Sequence, residues 1–420
     1  MKKIIILFFF SYIISLNYLN IPFEIKQNSF SLSNNFISLL LNNEIYSEFS
    51  LGTPSQIIKG YYHFLEIRSY VCDKKINGIF NEELSSTFKK EETERYYYNQ
   101  PYTRGFDSND ILTINSNNKK FIIENFSFSL ATTLVENTTI REFNIGLKQN
   151  EFAILDNFTF FQQLKNNSLI SSRVFSFNYN TKKFLIGNYP HEIDNKKYDK
   201  IYLRWGKIDI LQRFSSWGYK WDVIYYNNKN NLDTYLGCNF NINIKGIIIS
   251  NHYQNFLNNN FFDKYVKENK CAFQSLFFDK DYYYSYICDG DIDLNNFPSL
   301  YFYSLEMDFS FNFTTKDLFL KEKNKLYCLL LFLQGNNKWI LGEVFFKKYQ
   351  LIFDLDKNIL AIYIQNPKNN SNFYIYIIFL LIFIIAMLMI LLIRCYYYLP
   401  RRKRANELEE QFEYISQANI

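Results

Sequence analysis

Glycine and proline are scarce in this 420-residue chain, at 13 and 7 residues, and histidine occurs only three times. Two histidines, His63 and His252, bring the side-chain type that serves as metal ligand or proton switch, but they lack metal-ligand spacing and a third ligand beyond Glu66. The net charge of +5 lies partly in the first residues and the C-terminal tail, and nothing in it points to nucleic acid. Asn, Lys, Tyr, Phe and Ile take the place of glycine and proline, a bias assigned to the coding genome. Asn-rich patches such as residues 227–231 read as loop insertions.

Charge is absent from Phe373 to Ile393, a run long enough to cross a hydrocarbon core of about 30 Å as a helix. Arg394 and Arg401 to Arg404 follow it, so the positive-inside rule puts residues 394–420 in the cytoplasm. At the other end Met1-Lys2-Lys3 and the apolar run Ile4 to Leu16 form a secretory signal over residues 1–18. The expected topology is single-pass type I, in the secretory pathway or at the cell surface, with a luminal or extracellular body. There Cys72, Cys238, Cys271, Cys288 and Cys328 meet an oxidising compartment and should mostly pair, with one left over. Sequons at Asn125, Asn137, Asn157, Asn166, Asn312 and Asn369 suit a luminal glycoprotein.

Between signal and anchor, short apolar and aromatic runs such as Phe121-Ile-Ile and Leu351-Ile-Phe alternate with Asn, Asp, Gly or Lys clusters, which predicts strands and turns. Phe160–Asn167 and Asn255–Lys267 are the helical candidates. The body is expected to be mainly β and two-lobed: residues 19–42 as an N-terminal segment and candidate propeptide, 43–195 as the first lobe and 196–366 as the second.

Tyr46-Ser-Glu-Phe-Ser-Leu-Gly-Thr-Pro-Ser-Gln56 resembles the opening hairpin of pepsin-like aspartic proteases. Phe160 to Phe177 with Phe184-Leu-Ile-Gly187, then Trp339-Ile-Leu-Gly-Glu-Val-Phe-Phe346 with Tyr349-Gln-Leu-Ile-Phe-Asp354, resemble later segments of that family in the same order. The resemblance covers residues 43 to 365 and implies the bilobal pepsin-like fold. Signal plus anchor is similar to the membrane-bound memapsin-like branch. It further implies a Cys288–Cys328 disulfide, with Cys238–Cys271 as a second pair, and Tyr98 as the tyrosine of the hairpin that covers substrate.

The family's chemistry needs two nearby carboxylates that share one proton and activate a water, each in an Asp-Thr/Ser-Gly turn. Counting from Gly52, the first aspartate position falls on His63, in the turn His63-Phe64-Leu65-Glu66. For the second lobe, Gly246-Ile-Ile-Ile-Ser-Asn-His-Tyr253 is the matching stretch, with Ile249 at the aspartate position and Ser250 as a retained hydroxyl. His63 and His252 then fall in the loops that meet at the cleft. Neither Asp-Thr-Gly nor Asp-Ser-Gly occurs anywhere. Asp107-Ser-Asn and Asp289-Gly-Asp lie in the wrong places. The expected function is therefore a pseudoprotease that binds an extended peptide or protein ligand, without cofactor or metal. The alternatives are an active aspartic endopeptidase with a divergent site and a structural surface protein that reuses the fold.

Overall fold

In Ile45–Leu51 the side chains of Ile45, Ser47, Phe49 and Leu51 are buried while Glu48 faces solvent, the period of two of a half-buried strand. Such strands dominate, and the mainly β class holds. The computed structural model describes residues 17–26, 36–64, 66–76, 78–97, 103–134, 142–148, 158–208, 217–226, 231–233, 237–278, 281–333, 335, 339–364 and 371–417. Residues 1–195 with 200–364 form one compact unit, and residues 196–199 with 365–420 form another.

The N-terminal half contains β1 (Leu19–Pro22), β2 (Ile45–Leu51), β3 (Gln56–His63), β4 (Tyr70–Cys72), β5 (Lys89–Tyr97), β6 (Thr103–Ser116) and β7 (Phe143–Gly146). Strands β2 to β7 belong to an eight-stranded sheet, from which β5 and β6 extend as a hairpin. The C-terminal half contains β8 (Gly237–Phe240), β9 (Ile247–Ile249), β10 (Cys271–Phe278), β11 (Asp281–Asp289) and β12 (Trp339–Leu341), all in a nine-stranded sheet. A six-stranded sheet joins the halves, with Val174–Asn178 of the first beside Ile352–Asp354 of the second. Phe175 and Phe353 face each other there, ring centroids 4.9 Å apart and stacked. Aromatic rings thus fill the seam, each such pair adding about 0.5–1.5 kcal/mol beyond its burial.

The N-terminal segment is built into both halves. β1 forms the edge of the six-stranded sheet, and Leu19, Ile21 and Phe23 are buried. Helix α1 (Phe36–Leu41) places Phe36, Ile37 and Leu40 in an apolar cluster with Ile244, Ile248, Tyr327 and Leu331 of the C-terminal half. Asn43 Nδ2 then donates to the Ile242 carbonyl at 2.8 Å. Of the signal segment, residues 1–16 lie outside the described residues.

Two expectations change. Cys271 and Cys288 face each other across β10 and β11, Cα atoms 4.0 Å apart, and form the disulfide. The pairs Cys288–Cys328 and Cys238–Cys271 are thereby corrected: on its other side Cys288 opposes Leu326, out of register with Cys328. The second helix, α2 (Asn251–Leu257), begins earlier than Asn255 because the Ser250 side chain caps the Tyr253 N–H. It continues through a π turn at Asn258–Phe262 to Lys267. Phe160–Asn166 is helical as read, capped by Thr159.

In the second unit α3 (Ser371–Gln417) is one helix, and its large apolar side chains from Phe379 to Ile393 are exposed. Among the described residues no helix is long and apolar enough to cross a membrane. The expected span 373–393 begins ahead of the described side chains, which start at Phe379. Asn125 and Asn166 are exposed, Asn312 is half-buried, and Asn137, Asn157 and Asn369 lie outside the described residues.

Candidate active site

Strand β3 runs parallel to β7, with His63 at its end opposite Gly146. The chain then crosses directly over that glycine. A Cβ on Gly146 would stand 2.6 Å from the Ile67 carbonyl oxygen, so only glycine fits. Beyond the crossing, β4 returns antiparallel to β7, with Tyr70 opposite Asn144. The Leu147 N–H donates to the His63 carbonyl at 2.8 Å and fixes the turn.

The C-terminal half repeats this construction. β8 runs parallel to β12 with Phe240 opposite Leu341, which brings Asn241 to Gly342. A Cβ on Gly342 would lie 2.1 Å from the Gly246 carbonyl oxygen, the same close crossing. β9 then returns antiparallel to β12, with Ile248 opposite Ile340. Aligning the two glycines makes Asn241 the counterpart of His63, and Ile249 the counterpart of Val71. The expected Ile249 is therefore corrected to Asn241: Ile247–Ile249 is the returning strand, not the one that delivers a side chain to the turn.

The turn after β8 reads Asn241-Ile242-Asn243. Asn241 is buried, its Oδ1 accepting the Asn243 N–H at 3.0 Å. Asn243 Nδ2 reaches across to the Tyr62 carbonyl of β3 at 2.7 Å. Phe64 and Ile242 occupy the two hydroxyl positions, and neither is exposed at all. The Phe64 ring lies 5.4 Å from those of both Phe346 and Phe353. The glycine positions hold Leu65, outside the described residues, and Asn243. The end of β3 thus carries an imidazole and the end of β8 a carboxamide.

Other predicted residues separate from this point. Ser250 caps α2, and His252 is exposed on that helix beside the Tyr226 ring, so the structure assigns neither to the turn that carries Asn241. Among the described residues no group of three His, Cys, Asp or Glu side chains is placed to hold a metal, and Glu66 is buried. Tyr98 lies outside the described residues. Asp107, in the hairpin strand β6, receives Arg68 Nη1 at 2.8 Å, with Arg95 Nη1 3.0 Å from its other oxygen as an ion pair without hydrogen-bond alignment. This pins the hairpin base to the segment that follows the His63 turn, a role for Arg68 that the sequence reading missed. Asp289 pairs with Lys325 at 2.6 Å. Cys72 is buried, which pushes its thiol up to about 12 and leaves no reactive thiolate.

A family model described as eukaryotic aspartyl protease matches residues 65–362. The chain belongs to that family. The match starts just beyond His63 and Phe64 and includes Asn241. No curated protein matches the chain. Family and disulfide together fit a protein of the secretory pathway or the extracellular space.

Proposed function

We propose that this protein is a catalytically inactive pseudoprotease, anchored to a membrane by the uncharged run Phe373–Ile393, whose cleft binds an extended peptide or protein ligand. The observation that carries the reading is the pair of matched strand ends, where His63 and Asn241 stand in place of two aspartates and Phe64 and Ile242 in place of two hydroxyls. The scaffold around those positions, including both glycine crossings, supports retention of a strand-binding cleft after loss of the chemistry. The exposed apolar side chains of α3 and the arginines that follow support the anchor, with the body luminal or extracellular.

The test is incubation of the full-length protein in detergent with a diverse peptide library from about pH 3 to 7, the range in which carboxylate dyads work. A statine-type transition-state inhibitor is added in parallel. Peptides retained without cleavage support the reading. Cleavage blocked by the inhibitor would show a working carboxylate pair and end it, and absence of both binding and cleavage would reduce the protein to a scaffold.

A further inference from the structure

The edge of the six-stranded sheet opposite β1 is the strand Leu203–Lys207, which pairs antiparallel with Ile359–Tyr363. The chain leaves the compact unit beside this edge: Leu203 stands opposite Tyr363, and the Ile364 N–H donates to the Tyr202 carbonyl at 3.1 Å. The helix α3 begins at Ser371. Seven peptide links join Ile364 to Ser371, and fully extended they span at most about 25 Å.

The edge carries side chains that a solvated edge strand does not call for. Ile201 is 74% exposed and Trp205 is 48% exposed. Glu306 Oε2 accepts the Lys207 N–H at 2.8 Å, which sets Leu305, 68% exposed, beside the end of the strand. Lys200 and Lys207 are exposed at either end. Between them Arg204 Nη1 donates to the Ile201 and Leu203 carbonyls at 2.9 and 3.2 Å. From Lys200 to Lys207 the chain holds three cations and no carboxylate.

Lysines on an open edge are ordinary protection against strand pairing, but an exposed indole is not. Of the four tryptophans, Trp217, Trp221 and Trp339 are buried, and Trp205 alone faces outward. An indole with a branched aliphatic neighbour and lysines at the flanks suits the boundary between lipid headgroups and acyl chains. There the ring is covered, its N–H keeps a polar partner, and the lysine stems reach up to the phosphates.

We propose that the edge from Lys200 to Lys207, with Leu305, rests on the bilayer surface, Ile201 and Trp205 entering the headgroup–acyl boundary and Lys200 and Lys207 meeting anionic headgroups. The inference rests on the reading of Phe373–Ile393 as a membrane anchor. So few apolar side chains would hold a free protein to lipid only weakly. A short connection to the anchor raises the effective concentration of this edge at the bilayer, so a weak contact is populated, an advantage that a soluble partner lacks.

The test uses full-length protein reconstituted in vesicles of phosphatidylcholine and phosphatidylglycerol, with part of the phosphatidylcholine brominated along its acyl chains. Since α3 contains no tryptophan and the other three are buried, bromolipid should quench the Trp205 share alone, up to about a quarter of the emission. Trp205→Phe should remove that quenching. Lys200→Glu combined with Lys207→Glu should lower it by at least about half in anionic vesicles. Flotation after an alkaline wash reads the anchor separately. Protein that stays with the vesicles but shows no bromolipid quenching would overturn the inference and leave the anchor standing. Release of the protein by the wash would overturn both. Quenching that persists in Trp205→Phe would also overturn it. Protection of Trp205 from aqueous iodide without bromolipid quenching would assign the edge to a protein neighbour instead.

Discussion

Replacing Phe64 by threonine puts back the hydroxyl that the family uses beside its first aspartate, and the structure says the protein will not tolerate it well. Phe64 is fully buried, with ring centroids of Phe346 and Phe353 at 5.4 Å and Phe175 at 5.9 Å. Truncating a buried phenylalanine costs about 3–5 kcal/mol, and a threonine hydroxyl in that aromatic cage adds about 1–3 kcal/mol if it finds no partner, against which the retained methyl group recovers part. The expected loss is about 4 kcal/mol. Urea unfolding followed by tryptophan fluorescence reads this directly, because Trp217 lies 4.8 Å from Phe353 in the same cluster. At an m-value of about 3 kcal/mol/M the midpoint falls by more than about 1 M. A loss below about 1 kcal/mol would refute the argument that the hydroxyl position has become part of the interlobe core.

A double variant with His63→Asp and Asn241→Asp should show no turnover of the peptide library, because Phe64, Leu65, Ile242 and Asn243 still occupy the hydroxyl and glycine positions; inhibitor-sensitive cleavage would contradict this. Native protein treated with a maleimide should leave Cys72 and Cys328 unlabelled until denaturant is added, since burial pushes each thiol up to about 12. Reducing Cys271–Cys288 opens a loop with a sequence separation of 17 and should cost about 3 kcal/mol, measured as a shift of the unfolding midpoint. For Asp356, partial burial pushes the carboxyl up, but the Arg173 backbone and side-chain donors and Lys165 outweigh it and hold it below the ordinary range. A depressed folded value stabilises above the unfolded carboxylate value of about 3.9 and is lost as pH falls through the folded one. Asp356→Asn should therefore lower the midpoint at neutral pH and converge with the parent protein in acid; a constant gap across that range would be inconsistent with it.

The strand that ends at His63 was legible because the hairpin from Gly52 to Gln56 fixes the count along one regular strand. Alternation in Ile45–Leu51 and the capped helix at Phe160 were legible for the same local reason. The second-lobe site was not. Asn241-Ile242-Asn243 retains neither the carboxylate nor the glycine, while the apolar run Ile247–Ile249 imitates the buried strand that precedes the family's aspartate. Only the pairing of β8 with β12 separates the delivering strand from the returning one. The disulfide escaped for a similar reason: Cys271 meets Cys288 through the hairpin register, a tertiary fact that spacing does not encode. Ser250, read as a retained hydroxyl of the site, instead caps the helix that follows, a role its place just before Asn-His-Tyr is suited to.

The N-terminal segment acts as a belt. One end is woven into the six-stranded sheet at Leu19–Pro22, and the other is buckled to the C-terminal half through Phe36, Ile37 and Leu40. A maturation cut after Asn42 would not shed this belt as a removable guard, because both of its fastened ends are buried. The severed piece would stay on as a non-covalent subunit, and scission alone would leave the two halves held as they were.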